Sequence, residues 1–155
     1  MRILSRVAGL LVLSLALGPA SGVAQNNKAA NLERQLFEAT NRERTAHGVP
    51  ALRWNEALAA AARNHANRMA QQDALSHQFP GEPSLPSRVR QTGARFVWLS
   101  ENVALGPNPS FIHTEFVQSP QHRANLLDAD MNEIGIGLVA RNGRWFAVED
   151  FSKAK

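Results

Sequence analysis

The chain has 155 residues, no cysteine and a formal net charge of +4. Without thiols it has no disulfide framework, no zinc–thiolate site and no cysteine nucleophile. The length is that of one domain, and so small a charge is a solubility property, not the basic footprint of a nucleic-acid binder.

Arg2 and Arg6 precede an apolar run from Leu10 to Leu17, broken only by Ser14, and small residues follow from Gly18 to Ala24. This order predicts a secretory signal peptide over residues 1–24, cleaved after Ala24, with Ala20 as the second choice of site. The run is shorter than the roughly 20 apolar residues that span a bilayer. No cysteine follows to take a lipid. The expectation is therefore a secreted or periplasmic protein, with no stable membrane insertion after cleavage. Two of the seventeen basic residues and none of the thirteen acids lie in this leader, so the exported chain is nearly neutral.

Residues 25–30 are polar and read as a flexible leader, and residues 31–155 as one domain. Leu32, Leu36 and Phe37 recur at helical spacing up to Arg44, and His47-Gly48 with Pro50 ends that helix. Leu52 and Trp54 form a short apolar bridge. Asn55 is placed to cap a second helix running to Gln72, with Leu58, Ala61, Ala62, His65 and Met69 on one stripe. A loop rich in Pro, Gly and Ser carries His77. Ser84 or Ser87 would cap a short helix ending at Gly93, and Arg95–Ala104 has strand character. Gly106-Pro107-Asn108-Pro109 breaks the chain before a helix at 110–118, and Ser119-Pro120 starts another. Ile134, Ile136 and Leu138 alternate with glycines and Val139, which predicts a buried strand with close backbone approaches. Asn142-Gly143 predicts a hairpin turn, with a return strand to Phe151. Helices first and a hairpin late give an α+β domain with an antiparallel sheet.

Several blocks stand in a fixed order. They are Asn41-Arg42-x-Arg44, Leu52-x-Trp54, Ser76-His77, Ser100-Glu101-Asn102, the run Ser119-Pro120-Gln121-His122-Arg123-Ala124-Asn125-Leu126-Leu127, Glu133-Ile134-Gly135-Ile136-Gly137, and Trp145-Phe146-x-x-x-Asp150-Phe151. Together they resemble the CAP superfamily of cysteine-rich secretory proteins, antigen 5 and pathogenesis-related 1 proteins, in its cysteine-free bacterial secreted branch. The resemblance implies a three-layer αβα sandwich with a central antiparallel sheet. It also implies a cleft holding His77, His122 and Glu101. Three positions depart from the family pattern: Ser100 replaces a glycine, Phe116 replaces a tryptophan, and Ser119 stands near where a second acid falls.

By residue type, His77 and His122 are candidate ligands for a divalent metal such as zinc, with Glu101 as a third or outer group. Two readings of function stand beside each other. In one, the protein is a binding or interaction module, a monomer, whose cleft takes a metal or a lipid, cell-wall or protein ligand. In the other it is a metal-dependent, protease-like hydrolase, with His77 and His122 as ligands and Glu101 as catalytic base. A purely structural staple, with Glu101 joining the His77 loop to the His122 helix, uses the same residues. His65 reads as a satisfied core histidine and His47 as a favourable helix-end residue. His113 reads equally as cleft or solvated. Trp98 is a candidate cleft wall. Arg88, Arg90, Arg95 and Arg123 form either a basic rim for anionic lipid heads and cell-wall polymers or a set of scattered, solvated charges.

Overall fold

The alternation of large apolar residues with glycine over 133–139 sets the layers of this molecule. The structure, a computed structural model, describes residues 20–155. The charged start and apolar run of the expected signal peptide lie outside the described residues. The elements run α1 (Ala20–Ala46), β1 (Arg53–Trp54), α2 (Glu56–Gln72), α3 (Leu85–Gln91), β2 (Phe96–Gly106), α4 (Pro109–Gln118), α5 (Pro120–Leu126), β3 (Glu133–Arg141) and β4 (Arg144–Ala154). Residues 25–30, expected as a flexible leader, continue α1. Ala29 packs on the core and the Lys28 ammonium sits 5.9 Å from the centre of the Trp145 ring, contacts that favour helix there.

The sheet order is β1-β3-β4-β2. β2, β4 and β3 are antiparallel neighbours, as expected, and Asn142 and Gly143 turn the β3–β4 hairpin with φ of 51° and 73°. The expectation of an antiparallel sheet needs one correction: the two-residue β1 pairs parallel with the start of β3. The chain leaves α1, passes beside β3 and goes straight into α2. Arg53 N–H donates to Asn132 O and Asn55 N–H to Ile134 O along the way.

Helices cover both faces. Ile134, Ile136 and Leu138 of β3 and Ala147 and Phe151 of β4 meet Leu36, Ile112, Phe116 and Leu126 from α1, α4 and α5. The alternate residues Phe146 and Val148 meet Ala62, Ala66, Met69 and Ala70 of α2 on the other face. Gly135 and Gly137 lie under α2, whose alanines bring its backbone very close. A Cβ at Gly135 would fall 2.0 Å from Ala59 N, and one at Gly137 2.3 Å from Arg63 N. α2 itself is closed at its start by the Asn55 side chain, which accepts from Ala57 and Leu58 N–H, and at its end by Asp73 in the left-handed region.

Beyond the two residues of β1, the edge of β3 is covered by a charge pair. The Arg63 guanidinium from α2 donates from Nε to both Glu33 oxygens at 3.0 and 3.1 Å and from Nη2 to Oε2 at 2.8 Å. Glu33 of α1 in turn accepts from Leu138 N–H at 3.2 Å. Arg44 is the largest buried polar side chain. It donates to the carbonyls of Pro50, Leu126, Asp128 and Met131, which fixes the turns after α1 and α5.

Candidate functional site

Antiparallel pairing puts Glu101 of β2 opposite Asp150 of β4, and Asn102 opposite Glu149. Neighbours on a strand face opposite ways. Glu101 therefore joins the α2–α3 face and Asn102 the α1–α5 face, and two polar clusters form back to back.

On the first face, Glu101 is 3 % exposed and both of its oxygens are engaged. Oε1 accepts from Nδ1 of His77 at 2.8 Å, and Oε2 accepts from Nη2 of Arg88. His77 is presented outward, with 62 % of its side chain exposed. The bond to Glu101 raises its pKa above the usual histidine value, against opposing effects of burial and of Arg88. Arg88 also donates from Nη1 to the carbonyls of His77 and Pro83, and so ties α3 to the loop that carries His77. His65 of α2 holds the same loop from beneath, with Nδ1 2.7 Å from Glu82 Oε1 and Nε2 2.8 Å from Ser76 O. Burial pushes the Glu82 carboxyl up, and the Phe79 N–H and the His65 ring more than reverse this. Asp150 lies fully buried beside Glu101 with neither oxygen hydrogen-bonded. Burial, and then the charge of Glu101, push its carboxyl well above the usual range.

On the second face, Glu149 is fully buried. It accepts from Thr40 Oγ1 at 2.7 Å and from Asn102 Nδ2 at 3.3 Å, and burial raises its pKa to about 7. Asn102 also donates to His122 O at 3.1 Å and accepts from Asn125 Nδ2 at 2.9 Å, which seats α5 on β2.

His122 enters the site from α5. Its ring stands edge-on to Phe116 at 5.2 Å, and its Nδ1 is buried without a partner. Burial, then the charge on His77, lower its pKa. Ser119, near where the resemblance places a second acid, caps α5 by accepting from His122 N–H. The expected trio is thus assembled unequally: His77 and Glu101 are bonded, while His122 is held by backbone contacts and an aromatic ring. Among the described residues no three His, Asp or Glu side chains gather in a group that could hold a metal ion, and the Glu101 oxygens are taken by Arg88 and His77.

His65 is the satisfied core histidine expected of it. His47 caps its own helix end, with Nδ1 near Glu43 O and Nε2 2.8 Å from Arg123 Nη2. His113 lies between α1 and α4, away from Glu101. Trp98 is 62 % exposed at the start of β2. The basic rim does not form as one surface: Arg88 is buried on Glu101, Arg90 stacks over Phe96, and Arg123 pairs with His47. Arg88, Glu82 and Asp150 belong to the site without having been expected in it. Their only advance signals were an arginine in the short helix before β2 and the acid of the terminal block.

Comparison with known proteins agrees with this architecture. The model of the CAP family, the cysteine-rich secretory protein family, matches residues 37–151. The uncharacterized protein YkwD of Bacillus subtilis (strain 168) is 29% identical over 114 residues, covering 73% of this chain and 44% of its own length. An extracellular protein containing a SCP domain from Bacillus anthracis str. Ames superposes with a TM-score of 0.80 at 25% identity, over 88% of this chain and 45% of that one. An outer surface protein from Borrelia burgdorferi shares the fold, with a TM-score of 0.72 at 19% identity over 79% of this chain and 92% of its own. The chain spans less than half the length of YkwD and of the Bacillus anthracis protein. With the family match over most of its length and the αβα layers in place, the chain belongs to the CAP family.

Proposed function

We propose that this CAP domain is an exported binding module, secreted or periplasmic, whose recognition group is the outward imidazole of His77. The leader over residues 1–24 supports export, as does similarity to an extracellular protein of Bacillus anthracis. The observation that carries the binding role is the engagement of both Glu101 oxygens by Arg88 and His77. A general base must lie within hydrogen-bond reach of the proton it takes, and the Glu101 side chain is only 3 % exposed behind His77 and Arg88. Glu101 instead orients an exposed ring and favours its protonated form, which suits recognition of an acidic or acceptor-rich partner. Ligands of the lipid, cell-wall and protein classes all offer such groups.

The test is co-sedimentation of wild type and His77→Ala with purified cell-wall sacculi and with vesicles of anionic phospholipid. Wild type is expected to bind one of these more strongly at pH 6 than at pH 8, because the raised pKa of His77 keeps it cationic at the lower pH. His77→Ala should lose that pH dependence while still melting in one cooperative transition, with its midpoint lowered at pH 6 by loss of the bond to Glu101. Equal binding by the variant overturns the proposal. So does zinc-dependent cleavage of a peptide substrate that stops with chelator, which would restore the hydrolase with Glu101 as base.

A further inference from the structure

A cavity lies behind the Glu101 cluster, between α2, α3 and the turn at Gly81–Pro83. It holds about 370 Å³, and Arg68, Arg88, Asn64, Gln91, Thr92 and Glu82 line it. That volume suits a monosaccharide-sized ligand and lies within the range of small-molecule pockets.

Arg68 and Arg88 both line this cavity, and the Nε of each is buried without a partner. Arg88 is only 6 % exposed, and its Nη atoms are committed to Glu101, His77 and Pro83. Arg68, half-buried on α2, makes no hydrogen bond or ion pair among the described residues. Orphaned donors on a buried charged group are costly, and nearly all buried polar atoms in folded proteins find a partner. A guanidinium donates two parallel hydrogen bonds to a carboxylate through its fork of N–H groups, and the Nη end of Arg68 is uncommitted among the described residues. Glu82 does not fill that role, since its oxygens accept from His65 and from Phe79 N–H. The Asn64 and Gln91 side chains make no hydrogen bond among the described residues, and they stand at the same cavity as donors and acceptors for hydroxyls.

We infer that this cavity is a binding site for a small hydroxylated carboxylate of sugar-acid type, with Arg68 as the carboxylate receptor. Arg88 would join the ligand to the His77–Glu101 cluster through the same guanidinium that clamps Glu101. The cavity shares Arg88 and Glu82 with the Glu101 cluster but is not lined by His77, and its assignment does not rest on the reading given for that residue.

The test uses D-glucuronate as probe, with glucose and acetate beside it, followed by NMR of 15N-labelled protein. Glucuronate is expected to give saturable shifts of the Arg68 and Arg88 Nε–H signals and of the Gln91 side-chain amide. Glucose lacks the charge and acetate lacks the hydroxyls, so each should bind more weakly. Arg68→Gln should weaken glucuronate binding by about 10-fold or more, the usual loss of a charge-assisted pair. Arg68→Lys keeps the charge without the fork and should lie between the two. Unsaturable shifts with glucuronate, equal binding of glucose, or an Arg68→Gln variant that binds like wild type would each overturn the assignment.

Discussion

The two faces of the sheet bury glutamates in opposite ways. On the α2–α3 face, Glu101 sits between a guanidinium and an imidazole, and the cluster extends to His65 and Glu82. On the α1–α5 face, Glu149 meets only Thr40 and Asn102, neutral partners that do not supply a counter-charge. Burial disfavours a charge unless something pairs with it. One face therefore keeps an ion network that opens to solvent at His77. The other keeps a buried hydrogen-bonded network in which Glu149 holds its proton below about pH 7. The first arrangement suits contact with a partner, and the second fixes the fold around it.

Breaking the ion network should cost most. Arg88→Met leaves the Glu101 carboxylate buried beside Asp150 without its strongest partner, an expected loss of about 3–5 kcal/mol in urea unfolding. The matched change on the other face, Thr40→Val, removes one bond to an acid and should cost about 1 kcal/mol. Equal losses from the two would erase the contrast between the faces.

The neutral network is sharpened by pH. Burial raises Glu149 from 4.5 to about 7, so the native state holds a proton that the unfolded state has released. The contribution is fully present below pH 4.5 and is lost as pH rises through 7, for roughly 3 kcal/mol in all. Glu149→Gln, which has no proton to lose, should flatten that part of a stability–pH curve and gain on wild type at neutral pH. A curve of unchanged slope would place the titration elsewhere.

Packing separates the faces more gently. Gly135→Ala drives a methyl into the α2 backbone and should cost about 1–3 kcal/mol. Ile136→Val, one residue along on the opposite face, should cost about 0.5–1.5 kcal/mol in the same thermal melts. If the glycine variant melts like wild type, the close approach of α2 is not tight.

What was legible in the sequence was local. Asn55 as a cap, Ser119-Pro120 as a helix start, Asn142-Gly143 as a turn, and glycines marking a close backbone approach each depend on a few neighbouring residues. The family blocks then placed Glu101 and His77 together, and they are bonded. What was not legible depended on register. Arg88 was one of several arginines until α3 packed against β2 and turned it inward. Asp150 and Glu149 are adjacent, and only a central strand covered on both faces buries them both. The early helix boundary was missed because a polar composition gave no sign that Lys28 and Ala29 have Trp145 and the core to rest on.

The Glu33–Arg63 pair bears on how these molecules behave toward one another in a crowd. An uncovered strand edge is a template for another chain, because its free N–H and C=O groups can be extended by a second sheet. Here the Glu33 carboxylate already holds the Leu138 N–H that an incoming strand would seek, and the two charged side chains stand in that strand's path. A tie between two helices thus doubles as a guard against fibre-like growth, in a domain that has no disulfide to hold its edge closed.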